Sequence, residues 1–243
     1  MLESLLVAVI TSVLLLALGG GWFLWRRRRL LRLFGVGKGV GITIFLARLE
    51  VLPWGSTGFD GQPRSFTGPV VTANEASAAS RLGSIFEYLI PGLENQPGLL
   101  KTLFTRDIVV RVEPSPMTAV QIPNQGTIVT VGSPAFNVVS AWVQQALNPL
   151  ITFDQNNSSL LPFGQQPVID VSQGMVQVLW DANHARRVFY VGGVSELGTV
   201  AAVLYLAKKW EELRTNLGSS QTYAAFVRIQ QGEPVLLATI HAP

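Results

Sequence analysis

The sequence contains no cysteine, so disulfide bonds, thiolate metal sites and cysteine catalysis are all excluded. Histidine is almost as scarce, with two residues. His184 falls in a polar turn and His241 lies two residues from the C-terminus, where disorder is the default expectation. Neither Ser133 nor Ser195 sits in the Gly-x-Ser-x-Gly elbow of a serine nucleophile. The sequence therefore predicts no complete catalytic site and no metal site.

Basic residues are few, and they are concentrated in one place. The formal net charge is +3, and four positive charges are the consecutive arginines Arg26–Arg29, followed by Arg32 and Lys38. A nucleic-acid surface spreads basic and aromatic residues over a face, whereas these residues adjoin an apolar segment. We therefore expect a membrane flank, and no nucleic-acid partner.

The apolar segment runs from Ser4 to Trp25 without a charged residue. At about 1.5 Å per residue, such a helix covers the roughly 30 Å hydrocarbon core of a bilayer. A cleavable signal peptide is the alternative, but the chain begins Met1-Leu2-Glu3, and the apolar run continues into tryptophans and arginines. The sequence thus predicts a retained single-pass anchor and a bilayer as partner.

Orientation follows from the same basic cluster. Lysine and arginine near the end of a span mark its cytoplasmic side, and here they follow the span. We expect a cell-membrane protein whose C-terminal domain is cytoplasmic. The predicted organisation is an anchor with its basic flank over residues 1–29, a glycine-rich linker over 30–41 and an α/β domain over 42–243.

Two features of the linker have alternative interpretations. Residues 30–34 favour continuation of the helix over an amphipathic segment lying on anionic lipid. The run Gly35–Gly41 looks like a phosphate loop, but it follows the membrane helix and precedes a strand, and it lacks the P-loop spacing. A flexible linker is the favoured interpretation.

The rest of the chain alternates strand and helix patterns. Strands are predicted at 42–52, 107–112, 127–131, 168–171, 175–180, 188–191, 224–229 and 235–240, and helices at about 72–90, 97–104, 135–147 and 200–213. Segments 168–171 and 175–180 read as a hairpin. The predicted fold class is α/β: a mixed, Rossmann-like sheet with helices on its faces.

Two strand–turn–helix units carry the best argument for a site. In each unit a buried-type strand runs into a small-residue turn and then a helix. Ligands of open α/β sheets bind where parallel strands end, beside glycine turns and helix N-termini. The candidate ligand-binding residues are Gly132, Ser133, Asn137, Gly192, Gly193, Ser195 and Thr199. The alternative is purely structural, because glycine makes tight βα turns and Ser or Thr caps helices.

Glu75 is the one further catalytic candidate beside Ser133. It falls in the first turn of a predicted helix, where it would serve as a base in sugar chemistry. An acidic residue there more often interacts with the helix dipole.

The N-terminal anchor and three stretches of the domain together resemble a poorly characterised group of bacterial single-pass membrane proteins. The three stretches are Ser65–Pro69, Val131–Pro134 with Asn137, and Gly192-Gly193 leading to Gly198-Thr199. The resemblance implies a C-terminal Rossmann-like domain and no established activity.

Three hypotheses of function follow. The first is a membrane-tethered sensor that binds a nucleotide-like or other anionic small molecule. The second is a nucleoside- or nucleotide-processing enzyme that uses Glu75 or Ser133. The third is a non-enzymatic scaffold that holds a protein partner through apolar residues such as Trp54 and Phe59. The sequence names no cofactor.

Overall fold

The computed structural model describes residues 2–36, 41–48, 71–87 and 109–241. The helices are α1 (Leu2–Leu33), α2 (Ala73–Glu87), α3 (Val138–Ala146), α4 (Glu196–Lys208) and α5 (Trp210–Leu217), with a 3-10 turn at Ala119–Gln121. The strands are β1 (Ile42–Leu46), β2 (Val110–Pro114), β3 (Thr127–Val131), β4 (Ile151–Phe153), β5 (Leu160–Pro162), β6 (Gln173–Asp181), β7 (Arg186–Gly193), β8 (Tyr223–Gln230) and β9 (Glu233–His241).

The described strands form a mixed seven-stranded sheet in the order β2-β1-β3-β7-β6-β8-β9, and a separate β4-β5 pair. Strands β2, β1, β3 and β7 are mutually parallel, whereas β6 is antiparallel to both of its neighbours and β9 is antiparallel to β8. We call the edge where the four parallel strands end the carboxyl edge, and the opposite one the amino edge. The prediction of an α/β fold with a mixed sheet is confirmed.

Alternating side chains along the strands build two hydrophobic layers, as the period of two in a strand requires. One face of the sheet packs against α2, α4, α5 and the end of α1. The other face packs against α3 and the β4–β5 pair. The result is a three-layer domain whose sheet is covered on both sides.

The helices that follow β1 and β3 lie on opposite faces, since α2 belongs to the first layer and α3 to the second. The chain therefore leaves the adjacent strands β1 and β3 in opposite directions. The order β2-β1-β3 is that of doubly wound folds, in which such a switch point opens a ligand crevice at the carboxyl edge.

Helix α1 continues into the core of the domain. Leu30, Leu33 and Phe34 are fully or almost fully buried in the first layer. The Phe34 ring stacks on Phe189 of β7 at a centroid distance of 4.3 Å and meets Phe86 of α2 edge-on at 4.7 Å. The predicted continuation of the helix into residues 30–34 is confirmed as far as Leu33, and apolar residues at helical spacing bind this part of the predicted linker to the sheet. Residues 37–40 lie outside the described part of the chain.

Polar contacts fix the end of α1 at the amino edge. The Arg187 guanidinium of β7 donates to the carbonyl oxygen of Arg32 at 2.9 Å, and the Thr127 hydroxyl of β3 donates to that of Phe34. Arg26 forms an ion pair with Glu211 of α5 at 2.7 Å. The last carbonyl groups of the helix, which lack partners within it, are therefore satisfied by the sheet.

The predicted membrane span lies within α1. Among the residues that the structure describes, no helix is long and apolar enough to cross a membrane.

Three predicted elements differ from those observed. Residues 168–171 do not form a hairpin with β6, which pairs with β7 and β8 instead. There Asp170 accepts hydrogen bonds from the backbone and side chain of Ser172, and such local bonds compete with strand pairing. Helix α3 begins later than predicted, at Val138, and the predicted long helix that ends at Leu213 begins earlier, at Glu196, and divides at Lys209. The predictions for 49–70 and 88–108, with Trp54, Phe59 and Ser65–Pro69, fall outside the described residues.

The burial of Phe34 generates a stability prediction. Phe34→Ala should lower the free energy of unfolding by about 3–5 kcal/mol, because it leaves a cavity between α1 and the sheet. Phe163→Ala, the same change at a side chain that is 70% exposed, should have an effect within about 0.5 kcal/mol. Thermal or chemical unfolding of the full chain in detergent measures both. Equal effects would show that α1 is not part of the core.

Candidate functional site

The two predicted glycine turns lie side by side at the carboxyl edge. Gly132 follows β3 directly, and Gly192 and Gly193 end β7. The two strands are parallel, with Val131 opposite Val191, and the Gly132 N–H donates to the Val191 carbonyl at 2.9 Å. Because β3 and β7 are parallel, both glycine turns lie at the same edge of the sheet.

The turn at Gly193 is filled by the protein's own backbone. A Cβ atom added to Gly193 would lie 2.5 Å from the carbonyl carbon of Gly198, in the first turn of α4. A Cβ atom at Gly174 of β6 would overlap the carbonyl oxygen of the same Gly198. These glycines therefore let α4 pack directly onto β6 and β7. In strand-to-helix units, glycine commonly serves such close packing of a helix on a strand.

The hydroxyl groups of this turn are also engaged within the protein. Ser195 caps α4, since its Oγ accepts from the Gly198 N–H at 3.3 Å and donates to the Val171 carbonyl at 2.5 Å. The Thr199 hydroxyl donates to the Ser195 carbonyl at 3.0 Å. Their role in ligand binding stays a prediction; in the structure Ser195 caps α4, and the Thr199 hydroxyl is bonded to the carbonyl one turn earlier.

Asn137 occupies the corresponding position before α3. Its Oδ1 accepts from the N–H groups of Val139 and Ser140, and its Nδ2 donates to the carbonyls of Phe45 and Val131. It is 1% exposed. The amide predicted to meet a ligand is therefore fully occupied in joining β1, β3 and α3.

The turn that begins at Gly132 is tight for a related reason. Gly132 has φ of +100°, and a Cβ atom there would lie 3.0 Å from the Cβ of Ala47. The carbonyl of Ser133 accepts from the Phe136 N–H at 3.2 Å, and the Arg48 N–H donates to the Phe136 carbonyl at 2.7 Å. The loops after β1 and β3 are thereby joined at the switch point.

A cavity of about 450 Å³ opens beside these loops. We call it the switch-point cavity; it is lined by Arg48, Ser115–Met117 and Pro134–Val138. The Arg48 Nε is buried and has no hydrogen-bond partner among the described residues. The Ser115 hydroxyl already accepts from the Val138 N–H at 2.9 Å. Arg48 is the one basic residue among the described residues that line the cavity, so it is the cation that a ligand would meet here.

Sequence reasoning missed Arg48 because it fell inside the predicted strand 42–52. The available signal was a single basic residue at the end of an apolar strand, in a fold whose ligands bind where strands end.

Glu75 adjoins the same edge from α2. The residue is 6% exposed, and its Oε1 lies 4.0 Å from the position of a Cβ atom at Gly132. Burial, and then the negative charge of Glu196, raise the pKa of Glu75 from 4.5 to about 7, although the Thr72 hydroxyl opposes the shift. Its Oε2 has no hydrogen-bond partner in the described chain. A buried carboxyl with a raised pKa is typical of functional sites. This one also lies close to the glycine turn at Gly132, as a catalytic role beside that turn would require.

The charges around α4 differ from those expected of a phosphate site. Glu196 stands in the first turn of α4, and its field reaches Glu75. Two carboxyl groups disfavour an anion at this helix N-terminus, although the helix dipole alone would attract one. Glu196 instead borders a groove of about 390 Å³ between α2 and α4. The two glycine turns thus share an edge, but the switch-point cavity is lined by residues that follow Gly132 and by none of Gly192, Gly193, Ser195 and Thr199.

Both histidines lie away from the carboxyl edge. His184 is in the β6–β7 turn at the amino edge, with its Nδ1 2.8 Å from Asp181 Oδ2. His241 pairs with Tyr223 as the last residue of β9, whereas the sequence predicted disorder there. Neither histidine is therefore near Ser133 or Ser195. In the part of the chain that the structure covers, no three His, Cys, Asp or Glu side chains are grouped for a metal.

Comparison of the chain with protein-family models, with curated proteins and with solved structures finds no match. The resemblance drawn from the short motifs therefore stays an expectation, and the site must be interpreted from its own geometry.

The raised pKa of Glu75 generates a prediction on stability. The folded state binds a proton at Glu75 more tightly than the unfolded state does, so the contribution of this group to stability is fully present below pH 4.5 and is lost as pH rises through about 7. At about 1.4 kcal/mol per pKa unit, the loss is on the order of 3 kcal/mol. Glu75→Gln should remove this dependence and be more stable than the wild type at pH 8.

The free energy of unfolding of the full chain in detergent, measured across this pH range, tests the prediction. The control is Glu113→Gln, at an exposed carboxyl on β2, which should keep the wild-type profile. An unchanged slope in Glu75→Gln would assign the pH dependence to other groups.

Proposed function

We propose that the protein is a membrane-anchored α/β domain that binds a nucleotide-like or other small anionic molecule in the switch-point cavity, in the manner of a sensor. The observation that carries the proposal is Arg48, a cation without a described partner at the crevice between β1 and β3. An arginine there offers a fixed fork of donors to a phosphate or carboxylate.

The surroundings of Arg48 support a small organic ligand. The volume of about 450 Å³ lies within the range of small-molecule sites, which is roughly 300–1,000 Å³. Met117 and Phe136 bring exposed apolar side chains to the wall of the cavity, where they offer contact to a base or ring. Residues 134–137, in the turn that follows Gly132, form part of the wall, and the hydrogen bonds of the Asn137 side chain to β1 and β3 hold this turn in place.

The Arg48 site generates a binding prediction. Calorimetry of the full chain in detergent, with orthophosphate and with adenosine and guanosine mono-, di- and triphosphates as probes, should find a ligand. Arg48→Gln should then weaken binding by about 10- to 100-fold, since a charged hydrogen bond contributes roughly 1.5–3 kcal/mol. Arg111→Gln, at an exposed arginine of β2, should leave the affinity unchanged. Silence across the panel would refute the proposal.

A second candidate is a nucleoside- or nucleotide-processing enzyme, and the position of Glu75 favours it. A buried carboxyl with a pKa of about 7 is suited to general acid–base chemistry near neutral pH. Chromatography of any bound probe after incubation separates the two functions. Conversion that Glu75→Gln abolishes would indicate the enzyme, and recovery of unchanged ligand the sensor.

The membrane anchor is proposed from the sequence and from the surface of α1. Residues 4–25 carry no charge, and within them Leu14, Leu18 and Trp22 are 56%, 69% and 62% exposed. Exposed apolar side chains on a helix favour a lipid or protein environment. The arginines that follow favour a cytoplasmic domain.

The anchor generates a fractionation prediction. The full chain should stay in the membrane pellet after alkaline carbonate extraction, and deletion of residues 4–25 should release it, because the apolar run is lost. The deletion keeps Leu30, Leu33 and Phe34, so the released domain should remain folded. A chain in which residues 4–25 are shuffled should return to the pellet, since hydropathy alone is needed. A deletion variant that stays in the pellet would contradict this.

A further inference from the structure

A second polar cavity, of about 390 Å³, lies at the amino edge, where α1 ends. We call it the amino-edge cavity. Its lining includes Arg32 from α1 and Trp180, His184, Arg186 and Arg187 from β6, β7 and the turn between them. None of the described residues that line it is acidic.

The positive charge of this cavity is only partly compensated. Arg186 forms an ion pair with the buried Asp181 at 2.9 Å. Arg187 has carbonyl partners at the end of α1, and burial lowers its pKa. Within the described chain, neither Arg32 nor Arg187 has a carboxylate partner. Two guanidinium groups therefore hold uncompensated charge at one concave surface.

The other lining groups suit a headgroup at a membrane surface. His184 is held through Nδ1 by Asp181, which leaves Nε2 as the ring nitrogen for a ligand. Trp180 is 37% exposed, and tryptophan is enriched where bilayer meets water. Phosphate oxygens accept well from arginine, and a tryptophan ring packs against the glycerol region.

The position of the cavity relative to α1 identifies the source of the phosphate. If the apolar run ends at Trp25, Arg32 follows about 10 Å further along the helix, at 1.5 Å per residue. The headgroup layer extends about 5–8 Å beyond the hydrocarbon core. Since Leu30 and Phe34 fix α1 in the core, the cavity is held beside that layer.

We propose that the amino-edge cavity binds the headgroup phosphate of an anionic phospholipid in the leaflet next to the domain. This inference rests on the proposed anchor. It differs from general attraction between arginines and lipid, because it requires a site that the fold builds from β6, β7 and α1 together.

The test uses the full chain in nanodiscs of phosphatidylcholine with added phosphatidylglycerol, and native mass spectrometry of the lipids that stay bound. The wild type should retain phosphatidylglycerol in preference to phosphatidylcholine. Arg32→Gln and His184→Gln should each reduce this preference, Arg32→Gln by about 10- to 100-fold, since a hydrogen bond to a charged group contributes roughly 1.5–3 kcal/mol. Arg28→Gln is the matched control, one turn earlier on α1 and also exposed, and should lose only the general attraction of one arginine to anionic lipid, about fivefold.

The outcomes separate this inference from the anchor. Equal retention by wild type, Arg32→Gln and His184→Gln would overturn the lipid site, while entry into nanodiscs would still support the anchor. A full chain that does not enter nanodiscs would overturn both. Displacement of phosphatidylglycerol by added orthophosphate would show that the site takes free phosphate, and would overturn the assignment to lipid.

Discussion

The buried side-chain amide of Asn137 fixes the geometry on which the switch point depends. It donates to one carbonyl at the end of β1 and another at the end of β3, and it accepts from two N–H groups that begin α3. Loss of a buried partner leaves a polar group unsatisfied, at about 1–3 kcal/mol each. One side chain therefore sets the spacing of the two strands and the start of the helix. The walls of the switch-point cavity follow from that arrangement.

Short sequence patterns predicted the elements that are determined by residues close together in the chain, such as strands and turns. The apolar run Thr127–Val131 is the buried strand β3, and the glycine turns after β3 and β7 meet at one edge because those strands are parallel. What approaches each glycine was not predictable. Gly174, Gly193 and Gly198 meet across three elements, and composition alone does not distinguish a close helix from a close ligand.

At the boundary between anchor and domain, the packing of the end of α1 on the sheet was not predicted, because the glycine-rich run beside it indicated a linker. Gly35–Gly41 predicted a flexible linker, whereas Leu30, Leu33 and Phe34 have the spacing of an apolar helical face. Their burial shows that the amphipathic pattern outweighs the glycine-rich run that follows it. Arg48 was missed for a different reason, since its lack of a partner is a tertiary property and no residue near it in sequence indicates this.

The packing of α1 also determines how the two proposed sites are placed. Arg187 contacts the end of α1 near the start of β7, and Gly193 ends the same strand, about 20 Å away at roughly 3.3 Å per residue. Phe34 stacks on Phe189 between them, so α1 cannot turn relative to the sheet without disturbing the core. If α1 crosses the bilayer, the amino edge faces the headgroups and the carboxyl edge faces away from them. A cavity in that position is open to soluble anions and closed to lipid, which fits a domain that reports on the aqueous side.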